Sequence, residues 1–122
     1  MPARQKFCHS FHVPGTLSAN LNIRWTAPSN CTLIHVSAVA SNDSDATLKI
    51  GTSADDDEFK TATVIGDSAV PVEWDFDDFV TYANKAYPRI EDGDVLVLTL
   101  DYDGTDGTAA DDVTIVLTFL EG

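Results

Sequence analysis

Cysteine, methionine and long apolar runs are scarce in this sequence, and their scarcity narrows the classes of protein it fits. The 122 residues include two cysteines and one methionine. No apolar run approaches the ~20 residues that a membrane-spanning helix needs, so no membrane partner is expected. The residues from Met1 to Cys8 lack the apolar stretch of a secretion signal. Two cysteines without such a signal favour free thiols, and a Cys8–Cys31 disulfide stays open.

Basic residues are few, and acidic residues are missing from one part of the chain. The sequence has 20 Asp and Glu against 7 Lys and Arg, a formal charge of −13. Residues 1–42 contain three bases and no acid (+3), whereas residues 43–122 contain all 20 acids and four bases (−16). An acidic chain repels phosphate backbones, which excludes nucleic acid as a partner. The acid-free part is instead suited to contact an acidic partner.

Motifs for catalysis are missing as well. The sequence has no Gly-x-Ser-x-Gly motif and no phosphate-binding P-loop. Neighbouring carboxylates such as Asp77 and Asp78 point apart on a strand or turn, and a solvated Asp is a poor general acid. We therefore expect a protein that is not an enzyme.

Alternation of apolar and polar residues, with turn residues every 10–12 positions, predicts strands throughout the chain. In the third strand, the alternation places Ile34 and Val36 on one face and Leu33 and His35 on the other. Pro14-Gly15 predicts a turn, and residues 77–87 predict one helical turn. The expected fold is one all-β domain over residues 1–122, an antiparallel, jelly-roll-like β-sandwich of about eight strands with a short basic arm or strand at 1–13. The predicted strands are 6–13, 21–25, 31–40, 46–51, one within 55–65, 71–76, 95–100 and 113–120.

The last two strands are apolar on both faces. A strand of this kind is covered on both faces in a folded protein. In a small sandwich one cover is the core, and the other is expected to be a second subunit. The residues predicted to form this subunit interface are Val95, Val97, Val116 and Leu120.

Two metal sites are considered. Cys8 and His12, like Cys31 and His35, are four residues apart, which on a strand spans ~13 Å and is too far for one zinc ion. Zinc would require their two strands to pair directly, with Cys8 opposite His35. For calcium, the loop that carries Asp101, Asp103 and Asp106 offers oxygen ligands, but Asp106 stands where an EF-hand requires glycine. The simpler interpretation is a solvated hairpin loop without a cofactor.

Aromatic residues suggest a second kind of binding. Tryptophan and tyrosine side chains stack on sugar rings when they are exposed, and they pack in the core when they are not. The candidates for a sugar-stacking platform are Trp25, Trp74, Tyr82, Tyr87 and Tyr102. The resulting alternative function is a carbohydrate- or receptor-binding module.

Three segments, 31–59, 90–104 and 113–122, alternate strand residues with Asp, Gly and Thr turns, and in this they resemble small virion proteins of tailed phages. Those proteins are β-sandwich capsid decoration (cement) proteins and related head or tail components, so the resemblance implies that the alternative binding module would belong to a phage tail or fibre. The resemblance implies a non-enzymatic virion protein that is assembled in the host cytoplasm and binds the major capsid protein on the capsid exterior as a homotrimer. The residues then expected to contact the capsid lie in the acid-free part of the chain and are Arg4, Lys6, Phe7 and Arg24.

Overall fold

The computed structural model describes residues 5–68 and 70–122, and strands dominate the described part. The expected strands are confirmed with small shifts of their ends, and the short strand β7 is an addition. The strands are β1 Lys6–Thr16, β2 Leu21–Thr26, β3 Cys31–Val39, β4 Thr47–Gly51, β5 Lys60–Val64, β6 Val72–Trp74, β7 Arg89–Ile90, β8 Val95–Asp101 and β9 Asp111–Glu121.

The strands form two sheets that pack face to face. The five-stranded sheet has the order β1-β9-β3-β6, with β7 paired to β3, and the four-stranded sheet has the order β2-β8-β4-β5. All pairs of neighbouring strands are antiparallel. Without β7, eight strands lie four to a layer in a jelly-roll-like order. The expected all-β sandwich is confirmed, with nine strands where about eight were expected.

The core lies between the two sheets and follows from the alternation along each strand. Leu96, Leu98 and Leu100 of β8 face inward and are almost fully buried. The ring of Trp25 from β2 stacks on that of Phe119 from β9 at 4.6 Å between centroids, which joins the two layers. Burying each large apolar side chain stabilises the fold by about 1.5–3 kcal/mol. The sandwich is therefore held mainly by apolar packing between β8 and β9 and their neighbours.

The expected turn at Pro14-Gly15 is wrong, because β1 continues through it to Thr16. The pairing of β1 with β9 shifts register between Val13 and Thr16, which marks a bulge. Gly15 has a φ of +80°, which glycine adopts without strain. Pro14 is tolerated here since β1 lies at the sheet edge, where a missing N–H need not break a ladder hydrogen bond.

The expected faces of β3 are also partly wrong. Leu33 and Val36 are both fully buried, although strict alternation places them on opposite faces. The register between β3 and β9 shifts between Leu33 and His35, so a bulge there reverses the alternation. Leu33 consequently joins Val36 in the core, and His35 stays on the outer face.

Helical structure in the described residues consists of two short 3-10 segments. They span Phe76–Asp78 and Val80–Asn84, within the region where one helical turn was expected. The backbone N–H of Asp75 donates to Oδ2 of Asp78 at 2.8 Å and fixes the start of the first segment. Nowhere in residues 5–68 and 70–122 is there a helix with the length and apolarity that crossing a membrane requires.

Candidate interaction surfaces

Each edge strand of one sheet lies beside an edge strand of the other sheet, so the sandwich has two distinct sides. At one side, His9 of β1 is 5.6 Å from Trp25 of β2 between ring centroids. At the other, Nζ of Lys60 in β5 lies 4.8 Å from the ring centre of Trp74 in β6. We call these the β1–β2 side (residues 6–16 and 21–26) and the β5–β6 side (residues 60–64 and 72–84).

The β1–β2 side exposes part of the apolar core. Most of the inward apolar side chains of its two strands pack against the core but remain only half-buried, whereas Trp25 is buried. The Phe7 ring stacks on Phe119 at 5.1 Å between centroids and is half-buried. The half-buried apolar residues of this side are Phe7, Phe11, Val13, Leu21 and Ile23. Together they form a seam between the two edge strands.

The strands of the β1–β2 side contribute no acid themselves, because described residues 5–30 have none, and the carboxylate of Asp112 contacts the end of β1 at the N–H of Gly15. Lys6 and Arg24 are both exposed there. The ion pairs found within residues 5–68 and 70–122 involve His35 and Lys49, so neither Lys6 nor Arg24 forms an ion pair within these residues. This side therefore combines exposed apolar surface with two free positive charges.

The four residues expected to contact a capsid do not form one patch. Arg4 lies outside the described residues. Lys6 is on the outer face of the five-stranded sheet, opposite Leu120 of β9, whereas Phe7 points inward to Phe119. Arg24 is on the outer face of the four-stranded sheet, opposite Val97. Lys6 and Arg24 thus flank the β1–β2 side from opposite faces of the sandwich.

The residues expected at a subunit interface are also divided between the two faces. Val116 and Leu120 are half-buried on the outer face of the five-stranded sheet. Val95 and Val97 lie on the outer face of the four-stranded sheet, and they are 37% and 4% exposed. The β4–β5 loop folds back over Gly51, which is the cross-strand neighbour of Val97. Val97 is therefore covered within the chain itself.

Around Val116, the outer face of the five-stranded sheet is free of acidic side chains over most of β1 and β9. Hydrogen bonds across this face join Cys8 to Thr118 (Sγ to Oγ1, 3.5 Å) and His12 to Thr114 (Nδ1 to Oγ1, 2.8 Å). We call this surface the acid-free face. Its outward residues are Lys6, Cys8, Ser10, His12, Thr114, Val116, Thr118 and Leu120. A surface of mostly uncharged side chains suits contact with another protein, because little charge has to be desolvated.

The β5–β6 side has the opposite charge and its own exposed apolar residues. Val64, Val80 and Tyr82 are 53%, 45% and 50% exposed. The carboxylates of Glu73 and Asp75 lie 3.2 and 3.9 Å from Nε2 of His35. The remaining acids of this side are Asp77 and Asp78. Val64 and Val80 were missed in the sequence, although Val80 stands out as an apolar position in a polar stretch, and Tyr82 was considered there only for sugar stacking.

The five aromatic residues considered for a sugar platform do not come together. Trp25 and Trp74 are buried, at 9% and 3% exposure. Tyr102 is half-buried beside the β8–β9 loop, away from the β5–β6 side. Tyr82 and Tyr87 are exposed, and both contact Phe76, with ring centroids 5.4 and 4.7 Å away. Of the five candidates, Tyr82 and Tyr87 therefore form an exposed aromatic cluster. Its third member is Phe76, which was not among the candidates.

In the loop that was considered for calcium, two carboxylates form hydrogen bonds to the backbone of the loop itself. Oδ1 of Asp101 accepts from the N–H of Asp103 at 3.1 Å, and Oδ1 of Asp103 accepts from the N–H of Asp106 at 3.4 Å. The loop lines an open depression of about 620 Å³. Within residues 5–68 and 70–122, a different group of three acids lies close enough together to share an ion, namely Asp55, Asp56 and Asp57.

The Asp55–Asp57 group lies in the exposed β4–β5 loop. A hydrogen bond between the carboxyl groups of Asp55 and Asp57 raises the pKa of Asp57 above its ordinary range. Neighbouring exposed carboxyls share a proton in this way without a metal.

A zinc site built from the cysteines and histidines would need β1 and β3 to pair directly, and they do not. Thr118 of β9 lies between them, paired with Cys8 on one side and His35 on the other. Two strand spacings separate Cys8 from His35 by about 9.5 Å. Cys31 is buried in the core while Cys8 is exposed on the outer face, and both thiols are free. Burial raises the pKa of the Cys31 thiol, which keeps it protonated.

Comparison with known proteins adds one likeness of fold. No protein-family model matches the chain, and no curated protein sequence matches it. Among solved structures, a chain of the "Cyanophage Pam1 capsid asymmetric unit" superposes with a TM-score of 0.56 at 10% sequence identity. The match covers 98% of this chain and 85% of that chain, so the two chains have similar lengths. At this identity the likeness shows a shared fold.

Proposed function

We propose that this protein is a structural component of a phage capsid. The observation that carries the proposal is the shared fold with a chain of a cyanophage capsid, which extends over 98% of this chain and 85% of the other. With coverage of this extent, the two chains share their fold over nearly their whole length and not only in one substructure. The resemblance of segments 31–59, 90–104 and 113–122 to virion proteins supports the same role.

Within this role, we propose a decoration protein that binds the outer surface of the head as a homotrimer. The distribution of charge supports an external position. Most acids lie in loops and at strand ends, as in Asp55–Glu58 and Glu91–Asp94, where they face solvent. Strongly acidic outer surfaces keep particles apart through mutual repulsion. An external protein also needs a surface without acids to meet the shell, and the fold provides one.

The surface proposed to contact the major capsid protein is the acid-free face. Lys6 lies at one end of it, beside Leu120, and Val116 lies near its centre. Phe7 points inward, and Arg24 lies on the opposite face of the sandwich. Of the described residues that the sequence predicted to contact the capsid, this surface therefore contains Lys6. Standard protein interfaces bury ~800 Å² per partner, and several contacts in one trimer add through multivalency.

Two matched variants test this surface. Thr118 of β9 and Thr99 of β8 are both half-buried outward threonines on interior strands, one in each sheet. Thr118→Glu places a charge on the acid-free face, and Thr99→Glu places the same charge on the other face. We expect Thr118→Glu to weaken binding to undecorated capsids of the source phage at least about tenfold, because it buries an unpaired charge.

Occupancy is measured by co-sedimentation with capsids and by particle imaging. Thr99→Glu is expected to bind like the wild type. If the wild type does not bind, the capsid role is wrong. If Thr99→Glu weakens binding and Thr118→Glu does not, the protein docks through its other face.

A further inference from the structure

The outer edge of β1 pairs with no strand of residues 5–68 and 70–122. β1 lies at the end of the five-stranded sheet, and β9 is the neighbour on its inner edge. An edge of this kind presents free N–H and C=O groups that can accept a further strand. Pro14 and the bulge between Val13 and Thr16 end the regular part of this edge. The open edge therefore covers residues 6–12.

The pairing of β1 with β9 shows which backbone groups face the open edge. The N–H of Glu121 donates to the C=O of Gln5 at 2.8 Å, and the register continues with Lys6 opposite Leu120. Hydrogen-bonded and non-hydrogen-bonded positions alternate along an antiparallel pair. Every second residue after Gln5 is therefore bonded to β9, and the residues between them direct their N–H and C=O groups away from it. These edge-facing residues are Lys6, Cys8, Ser10 and His12.

An apolar surface lies directly beside the open edge. The inward side chains of Phe7 and Phe11 are half-buried, and so is Ile23 of β2 in the other sheet. A strand added at the edge directs every second side chain inward, over this seam. Peptides that join a sheet edge in this way gain affinity from main-chain hydrogen bonds and specificity from their alternate side chains. The edge offers both kinds of contact along about 20 Å of strand.

The charges along the open edge favour an acidic occupant. Residues 6–12 include no acid, and their basic side chains are Lys6, His9 and His12. The carboxylate of Asp112 contacts β1 at Gly15, beyond this range. Charges more than ~8 Å away are largely screened at physiological salt, so the local charge counts more than the net charge of −13. Two copies of this edge would bring like charges together, so a second copy is a poor occupant.

We propose that the open edge of β1 accepts an extended, acidic segment of another protein as an additional strand. The segment has apolar residues at alternate positions, and these cover the seam beside Phe7 and Phe11. Carboxylates lie at positions between them, on the outer side of the sheet near Lys6. The inference goes beyond the capsid role and does not rest on it, because the strand pairs with the backbone edge and is tested without capsids.

A short peptide with blocked termini serves as the probe, with the sequence Glu-Val-Thr-Val-Glu-Val-Thr. Its valines share one face, and valine and threonine favour strands. One control peptide has the same composition with all valines in one run, which removes the alternation. A second control has lysine in place of both glutamates. Titrations followed by NMR of the whole protein should show that the probe binds at least about tenfold more tightly than either control.

Hydrogen exchange of single amides tests the strand pairing itself. In the free protein, the edge-facing N–H groups of Cys8, Ser10 and His12 should exchange faster than those of the residues between them, which are bonded to β9. The probe should slow exchange at these three N–H groups several-fold. Exchange in β8, which lies in the other sheet away from its edge, should stay unchanged.

Two substitutions at one position separate the backbone from the side chain. Ser10→Pro removes an edge-facing N–H and no hydrogen bond to β9, whereas Ser10→Ala removes the side-chain hydroxyl alone. We expect Ser10→Pro to weaken binding of the probe at least about tenfold and Ser10→Ala to bind it like the wild type. Circular dichroism checks that both variants are folded. The exchange measurement uses the wild type, so the test does not depend on the folding of Ser10→Pro.

Three results would overturn the inference. The first is a probe that does not bind, and the second is a probe that binds without slowing exchange at Cys8, Ser10 and His12. The third is a folded Ser10→Pro variant that binds the probe as tightly as Ser10→Ala. Slow exchange at the same N–H groups without the probe, increasing with protein concentration, would assign the edge to a second copy and overturn the proposed occupant.

Discussion

At the scale of single residues, the largest departure from expectation is a lysine inside the sandwich. Lys60 is 7% exposed, and its Nζ lies 4.8 Å from the ring centre of Trp74. The same Nζ donates to Oγ1 of Thr63 at 2.6 Å. Strand alternation could not predict this position, because the pairing of β4 with β5 shifts register between Leu48 and Ile50. A bulge moves a polar residue into the core without any signal in the sequence.

Lys60 makes the stability of the protein depend on pH in the alkaline range. Burial lowers the pKa of Lys60 below its ordinary value of 10.5. Between the lowered pKa and 10.5, the unfolded chain binds a proton that the folded chain has lost, so stability rises with pH in this window. Lys60→Met keeps a long side chain against Trp74 and removes the titration.

We therefore expect the free energy of unfolding of the wild type, relative to Lys60→Met, to increase from neutral pH towards pH 10.5. Urea titrations of both proteins over this range measure the difference, and other titrating groups cancel in it. A difference that is constant with pH would show that Lys60 keeps its ordinary pKa in the folded state.

At the scale of elements, regular strands could be predicted and irregular ones could not. The expected strand at 95–100 and the observed Val95–Asp101 differ by one residue, because leucine alternation there is uninterrupted. In β1 and β3 the bulges near Gly15 and Leu33 displaced the expected turn and faces. Bulges depend on the partner strand, and β9 is about 100 residues away from β1 in the chain.

The end of β1 is held by a single aspartate, which gives a prediction for this element. Oδ1 of Asp112 accepts from the N–H of Gly15 at 2.7 Å, and its Oδ2 accepts from Oγ of Ser41 at 3.1 Å. These hydrogen bonds lower the pKa of Asp112 below 3.8. Their contribution is therefore present above pH 3.8 and is lost as the pH falls through the lowered pKa.

We expect Asp112→Ala to speed hydrogen exchange at the end of β1 several-fold at neutral pH, with the N–H of Gly15 most affected. Exchange in β8 should stay unchanged. Asp106→Ala is the control, because it removes a carboxylate from the neighbouring loop without touching β1. Equal protection of Gly15 in the wild type and in Asp112→Ala would mean that the bulge is stable without this carboxylate.

At the scale of the whole molecule, the separation of charge along the chain becomes a separation in space. The sequence alone divides into an acid-free part and an acidic part. It could not show that residues 6–16 and 21–26 lie on the same side of the sandwich in different sheets, because strand order depends on long-range pairing with β9 and β8. The split of the expected capsid-binding and interface residues between two faces has the same cause.

The arrangement of charge predicts how the protein changes a particle that carries it. Each copy adds a charge of −13, mostly on loops and strand ends. Electrophoretic mobility responds to charge near the outer surface, because charges deeper than a Debye length, ~8 Å at physiological salt, are screened. An external decoration protein should therefore make capsids migrate faster towards the anode, and the increase should follow occupancy.

Mobility of capsids incubated with increasing protein, measured by native agarose electrophoresis, tests this position. Capsids incubated with Thr118→Glu are the control, and their mobility should change only at protein concentrations at least about tenfold higher, since that variant is expected to bind more weakly by that factor. Full occupancy by co-sedimentation without a change in mobility would contradict an arrangement in which the acidic loops face solvent on the outer surface. The acidic loops would then lie against the shell, and the acid-free face would face outward.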